Sequence, residues 1–135
     1  MAYKIEEIEG IGSVYGEKLR AAGIISPEGL LGKCAAKSGR AALAKDTGIN
    51  EKLILKWTNH ADLFRINGVG PQFSELLEAA GVDTVKELRN RKAENLYAKI
   101  QEVNEAKKLV RRLPSPDQLA GMIEEAGKIE PKMTY

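Results

Sequence analysis

The sequence has few of the residues on which disulfide, metal and imidazole chemistry depend. Its 135 residues include one cysteine, Cys34, and one histidine, His60. A single cysteine excludes a disulfide within the chain and a metal cluster built on cysteines. No pair of carboxylates lies in an apolar segment, and no serine has an evident base, so we predict no enzyme activity, metal, cofactor or small-molecule substrate. We interpret His60 as a structural residue at the surface or half-buried.

Long apolar runs and strand patterns are also missing. No run approaches the roughly 18 residues that cross a bilayer, and acidic residues stand near the N-terminus where a secretion signal is apolar. We therefore expect a cytoplasmic protein without a membrane partner. Period-two alternation of apolar residues is almost absent, while helix-capping signals are frequent. The predicted fold class is all-α.

Basic charge is scarce for a protein that would bind nucleic acid. The formal net charge is +2, whereas nucleic-acid-binding domains usually carry a clear basic surface. Local clusters are Lys33, Lys37 and Arg40; Arg89, Arg91 and Lys92; and Lys107, Lys108, Arg111 and Arg112. The last four have helical spacing and predict one basic stripe, although a solvated helix face explains each cluster taken alone.

What the chain does contain is a duplicated pattern. The segment IxxIEGIGSVYGEKL of residues 5–19 recurs 58 residues later as LxxINGVGPQFSELL at residues 63–77. The match continues through AAGI at 21–24 and AAGV at 79–82. So many aligned positions indicate an internal duplication. We call residues 5–19 the first hairpin and residues 63–77 the second hairpin.

Each copy predicts two helices joined by a tight turn. In the first, a short helix ends at Ile8, two glycines permit a turn too tight for side chains, and Ser13 is suited to cap the next helix. In the second, Pro71 is suited to the first helical turn. The backbone N–H groups at such a helix start attract anions. The residues predicted to pack inside the hairpins are Ile11 and Val69, as apolar anchors, and Gly16 and Ser74, where the two helices cross closely.

Capping signals divide the rest of the chain into helices. Predicted helix starts are Ser26-Pro27, Thr84 with Glu87, and Ser115 with Gln118, and predicted helix ends are Gly23 and Gly81. Residues 48–55 also match Val103, Asn104, Glu105 and Leu109 at a shorter offset. The shorter offset indicates that the first repeat has about four more residues than the second. The Gly, Ser and Lys content of residues 32–40 predicts that these extra residues form a loop there.

These segments resemble helix-hairpin-helix motifs, the DNA-binding hairpins of repair polymerases, glycosylases, ligases and recombinases. The pair is similar to the tandem fold in which two such hairpins lie side by side. The whole chain also resembles an uncharacterised bacterial domain family built from this duplication. We predict two repeats of about five short helices each, at 1–64 and 65–113, related by a pseudo-twofold axis. A C-terminal capping helix and tail at 114–135 would complete one globular unit.

The resemblance implies which residues would contact DNA. In DNA-binding members a phosphate is held by backbone N–H groups of both hairpin glycines and of the residues two and three positions after the second glycine. In this chain those residues, with the nearby cations Lys18 and Arg65, are Gly10, Gly12, Val14, Tyr15, Gly68, Gly70, Gln72 and Phe73. Contacts of this kind fix a protein on the DNA backbone without reading bases.

The hairpins depart from the family's pattern in charge. Binding members usually place Lys, Arg or Thr just after the second glycine, where this chain has Val14-Tyr15 and Gln72-Phe73. Acidic residues Glu6, Glu7 and Glu9 precede the first turn and repel phosphate. Two functions therefore follow: sequence-independent binding of duplex DNA through paired hairpins, or a protein-interaction or scaffold module that keeps the fold.

Overall fold

The computed structural model describes residues 3–135. Over that part of the chain the regular secondary structure is all helix, joined by turns and loops, without a strand. This confirms the predicted all-α fold class. A 3-10 helix, Ile5–Glu7, is followed by α1 (Gly12–Ala21), α2 (Pro27–Cys34), α3 (Lys37–Thr47), α4 (Glu51–Leu63), α5 (Pro71–Ala79), α6 (Val85–Arg89), α7 (Ala93–Lys107) and α8 (Pro116–Lys128). None of these described helices has the length and apolar character needed to cross a membrane.

The chain forms two compact units. Unit 1 comprises the residues up to Asp62 together with Lys132–Tyr135, and unit 2 comprises Leu63–Pro131. Unit 1 contains the 3-10 helix and almost all of α1 to α4, and unit 2 contains α5 to α8. The last helix therefore belongs to the same unit as the second hairpin, where it packs against α6 and α7.

In unit 1, the start of α2 and the end of α1 lie where the capping residues predict them. The Ser26 hydroxyl accepts a hydrogen bond from the Gly29 N–H at 3.1 Å, with Pro27 in the first turn of α2. After α1, Gly23 has φ +88°, and the Ile24 N–H donates to the Leu19 carbonyl at 2.9 Å. A left-handed glycine closed by this bond ends a helix.

The predicted loop at 32–40 is wrong, because α2 and α3 cover all of it except Ala35 and Ala36. The Arg40 side chain binds the backbone carbonyls at the end of α2. Its guanidinium is buried and donates to the carbonyls of Cys34 and Ala35 at 3.0 and 2.9 Å. Carbonyls at a helix end need such a donor when they are buried. Cys34 is also buried, and burial raises the pKa of its thiol.

Two other expectations for this unit are corrected. Ser13 is not the N-cap of α1, because the helix begins at Gly12 and the preceding Ile11 already has helical backbone angles. His60 is fully buried in α4 rather than exposed or half-buried. The burial of His60 depends on tertiary packing rather than on local sequence.

In unit 2, α6 and α8 begin at the predicted caps. The Thr84 hydroxyl accepts a hydrogen bond from the Glu87 N–H at 3.3 Å, and Ser115 and Gln118 form both bonds of a capping box. Gly81 ends α5 with φ +95°. At the other end of α8, Arg89 donates to the carbonyls of Ala126 and Ile129. The apolar core includes Leu63, Ile66, Val69, Phe73, Leu76, Leu77, Leu88, Leu96, Ile100 and Leu119.

The predicted basic stripe is wrong because α7 ends inside it. Lys107 is the last helical residue, and Lys108 has left-handed backbone angles, φ 52° and ψ 46°. The Asn104 side chain then exchanges two hydrogen bonds of 3.0 Å with the backbone of Val110, which turns the chain into a loop. The match of residues 48–55 pairs Asn50 with Asn104, but the two asparagines are not structurally equivalent. Asn50 precedes α4, whereas Asn104 lies near the end of α7.

Candidate nucleic-acid interface

The first hairpin is a tight turn held by backbone hydrogen bonds. The Ile8 N–H donates to the Ile5 carbonyl and the Ile11 N–H to the Ile8 carbonyl, both at 3.2 Å. Gly10 has φ +92°, a conformation that favours glycine. Ile5, Ile8 and Ile11 are all buried, so the apolar anchor predicted beneath the turn is present.

The second hairpin has the same turn. The Ile66 N–H donates to the Leu63 carbonyl and the Val69 N–H to the Ile66 carbonyl, both at 3.1 Å. Gly68 has φ +89°, close to the value of Gly10. Leu63, Ile66 and Val69 are buried, as are their counterparts in the first hairpin. Residues that repeat in the sequence therefore repeat their local geometry.

The two hairpins differ at their second glycine. Gly12 has φ +61°, whereas Gly70 has φ −113° and ψ −167°, which is ordinary extended backbone. The backbone angles of Gly70 are therefore open to residues other than glycine. Pro71 occupies the first turn of α5, and the first helical bond runs from the Ser74 N–H to the Gly70 carbonyl at 2.9 Å.

The small residues in the hairpins have different neighbours. A Cβ atom at Gly16 would lie 2.6 Å from Cγ of Glu6, whose side chain crosses α1 at this point. The Glu6 carboxylate then accepts two hydrogen bonds from Arg20, at 2.6 and 2.7 Å, which lower its pKa to about 2. Ser74 is buried in the second hairpin, and its hydroxyl donates to the Pro71 carbonyl at 2.9 Å.

Acidic residues surround the first turn. A hollow of about 360 Å³ there is lined by Glu6, Glu7, Ile8, Glu9, Gly10 and Gly12. Of the other residues predicted to contact DNA, Val14 is 67% exposed and Lys18 is exposed on α1. Tyr15 packs against Trp57, with ring centroids 5.0 Å apart. The structure thus places two of the predicted phosphate donors of this hairpin, Gly10 and Gly12, among carboxylates.

The second turn opens on a larger groove of about 730 Å³. We call it the hairpin groove, and the residues that define it include Gly68, Phe73, Arg112, Gln118, Met122 and Glu125. It brings two predicted site residues, Gly68 and Phe73, together with an arginine from the loop after α7. Pro114 and the Ser115 cap in the sequence indicate a break between two helices near this loop. The helical spacing of the basic residues instead favoured a continuous helix, so the loop was not predicted.

An acidic side chain that the sequence analysis missed also lies in the hairpin groove. Both carboxylate oxygens of Glu125 lie 3.3 Å from the backbone nitrogen of Asn67, which donates to them. One turn earlier on α8, the Met122 methyl group lies 3.1 Å from the position of a Cβ at Gly68. Helix α8 therefore places one carboxylate and one apolar side chain directly against the turn.

Several arginines bind backbone carbonyls at helix ends. In unit 2, Arg91 donates to Gly81 at 3.0 Å beyond the end of α5, as Arg89 does at the end of α8. The Arg65 guanidinium, predicted to contact DNA, donates to the Glu130 carbonyl at 2.5 Å. In residues 3–135, no group of three or more His, Cys, Asp and Glu side chains could hold a metal ion.

A protein-family model described as a domain of unknown function, DUF4332, matches residues 9–129. The match extends from the first turn to the residue after α8, so it includes both turns and all eight α-helices. No curated protein and no solved structure matches the chain significantly.

Proposed function

The chain belongs to the DUF4332 family, a domain of unknown function, and we propose that it binds the backbone of duplex DNA without reading base sequence. In this proposal residues 5–19 and 63–77 are helix-hairpin-helix motifs paired about a pseudo-twofold axis, and the second makes the principal contact. The observation that supports it most is that Arg112 lines the same groove as Gly68 and Phe73.

The chemistry of a phosphate site requires donors and positive charge at one place. The first N–H groups of a helix have no carbonyl partner within it and carry a partial positive charge. In α5 these include the N–H groups of Gln72 and Phe73, since Pro71 has none. Arg112 adds the cation that the hairpin itself lacks, and a guanidinium can bind phosphate through two hydrogen bonds.

Acidic residues limit the affinity that this surface can reach. Glu125 lies in the groove itself, and Glu7 and Glu9 lie beside the first turn. Exposed Lys107, Lys108 and Arg111 partly offset them near the second hairpin. We therefore expect a dissociation constant in the micromolar range that rises steeply with salt.

A protein-interaction module is the second candidate function. Val14 is one of the large apolar side chains that remain exposed, at 67%, and it lies at the start of α1 beside the acidic turn. An exposed apolar residue close in sequence to an acidic turn suits contact with a basic protein surface. This candidate takes precedence if the protein does not bind DNA.

Fluorescence anisotropy with a labelled 20-base-pair duplex tests the DNA proposal. If about four phosphates are contacted, raising the salt from 50 to 200 mM should weaken binding by roughly a hundredfold. Duplexes of scrambled sequence should bind equally well. Salt-independent binding, or more than about tenfold preference for one sequence, would contradict a backbone contact.

Adjacent arginines provide a matched pair of variants. Arg112→Gln removes the cation from the groove and should weaken binding about tenfold at low salt, as expected for a charged hydrogen bond to phosphate. Arg111→Gln changes the net charge equally but lies outside the groove lining, so we expect about a twofold loss. Equal losses would place the DNA elsewhere on the basic loop.

A further inference from the structure

The hairpin groove is larger than a phosphate contact requires. Its volume of about 730 Å³ lies within the roughly 300–1,000 Å³ typical of small-molecule sites. A phosphate held at the turn would use the backbone near Gly68 and the Arg112 guanidinium. The space between the turn, the loop after α7 and α8 would remain unfilled.

The lining of that space is suited to the flat face and polar edge of a nucleobase. Phe73, Leu113 and Met122 all line it, and the parts of these side chains that face the groove provide apolar surface against which the flat face of a base can pack. Gln118 and Glu125 place amide and carboxylate atoms around it. Apolar contact of this kind tolerates any base, because every base has a flat face.

One wall of the groove lacks a side chain. Gly121 of α8 lines it, and a Cβ atom built there meets nothing within 4 Å. A glycine inside a helix lowers helix stability, yet here it leaves the approach to the groove open. Gly127, on the same helix, is equally unobstructed but does not line the groove.

We propose that the hairpin groove receives an unpaired nucleotide of a DNA strand whose phosphate is held at the second turn. Bases in a continuous duplex are paired and stacked, so they cannot enter; a base in a single-stranded overhang can rotate out. This inference rests on the proposed DNA binding and deepens it, since it assigns a preference for DNA with unpaired ends.

The test uses three fluorescein-labelled DNAs and the full chain. They are a blunt 20-base-pair duplex, the same duplex with a three-nucleotide overhang, and the same duplex with an abasic three-residue overhang. The last two carry the same number of phosphates, so a difference between them reports the bases alone. We expect the normal overhang to bind at least about fivefold more tightly than the abasic one, in line with stacking of one base.

Two tryptophan variants locate the site. Gly121→Trp fills the groove and should reduce the ratio of the two overhang affinities to about one, while Gly127→Trp should leave that ratio unchanged. Both replace a helical glycine, so thermal unfolding should show a folded protein in each case. Equal affinities for the two overhangs in the wild type, or the same ratio in both variants, would overturn the inference.

The outcomes also separate this inference from the proposed function. Salt-sensitive binding of all three DNAs with equal affinity would keep the DNA proposal and overturn the nucleotide site. Binding of the normal overhang alone would support the nucleotide site and overturn the duplex proposal. A protein that binds none of the three DNAs overturns both.

Discussion

The two hairpins have the same turn but different surroundings. Each buries three apolar residues beneath a glycine near φ +90°, and each closes with the same pair of backbone bonds. The first turn lies in a hollow lined by carboxylates, whereas the second opens on a groove that contains Arg112. Repeated residues therefore determine the backbone of the turn, and the elements that pack beside it determine the charge and the space around it.

The largest expected effect comes from placing a carboxylate at each helix start. Gln72→Glu should weaken duplex binding about tenfold, because it puts a negative charge at the proposed phosphate. Val14→Glu occupies the corresponding position after the first turn, where acidic residues already prevail, and should change affinity less than about twofold. Anisotropy at 50 mM salt measures both. Equal losses would show that the first hairpin contributes as much as the second.

The second glycines should differ in their effect on stability. Gly12→Ala forces a residue with a side chain to adopt φ +61°, at a cost of about 1 kcal/mol. Gly70→Ala keeps φ −113°, which any residue adopts, and should cost less than about 0.5 kcal/mol. Urea unfolding of the two variants gives these values. A larger loss for Gly70→Ala would mean that its neighbours, rather than its backbone angles, require glycine.

The smallest effect concerns the carboxylate that faces the second turn. Glu125→Gln removes a negative charge from the hairpin groove and should strengthen duplex binding about threefold, the scale of a partly exposed charge interaction. Glu124→Gln is the control, because Glu124 pairs with Lys128 at 3.3 Å on the exposed side of the same helix. If both variants gain equally, Glu125 acts only through net charge.

Local signals predicted much of the fold. The turns, the caps at Ser26, Thr84 and Ser115, and the helix ends at Gly23 and Gly81 each depend on a few neighbouring residues. Such features follow from backbone chemistry that operates within one or two turns of a helix. They could be predicted without knowing what packs against them.

Several of the failures arise from contacts between elements. Gly39 suggested a loop, but a Cβ there would lie 1.9 Å from the Lys33 carbonyl, so the glycine permits α3 to pass close to α2. The stripe predicted from Lys107, Lys108, Arg111 and Arg112 had a different cause: these residues have helical spacing in the sequence, although α7 ends at Lys107. Arg112 and Glu125 become parts of the candidate site only because the loop and α8 return to the second turn. The spacing of residues in the sequence does not show that the loop and α8 pack against the second turn.

The last residues of the chain belong to unit 1, although all of unit 2 separates them from it in sequence. The backbone of Thr134 makes two hydrogen bonds within this unit. Its N–H donates to the Ala35 carbonyl at 2.9 Å, and its carbonyl accepts from the Arg40 guanidinium at 2.7 Å. The Tyr135 ring lies 5.6 Å from the same guanidinium. During synthesis these bonds can form only after unit 2 has left the ribosome. Unit 1 therefore completes its contacts only after unit 2 has been synthesised.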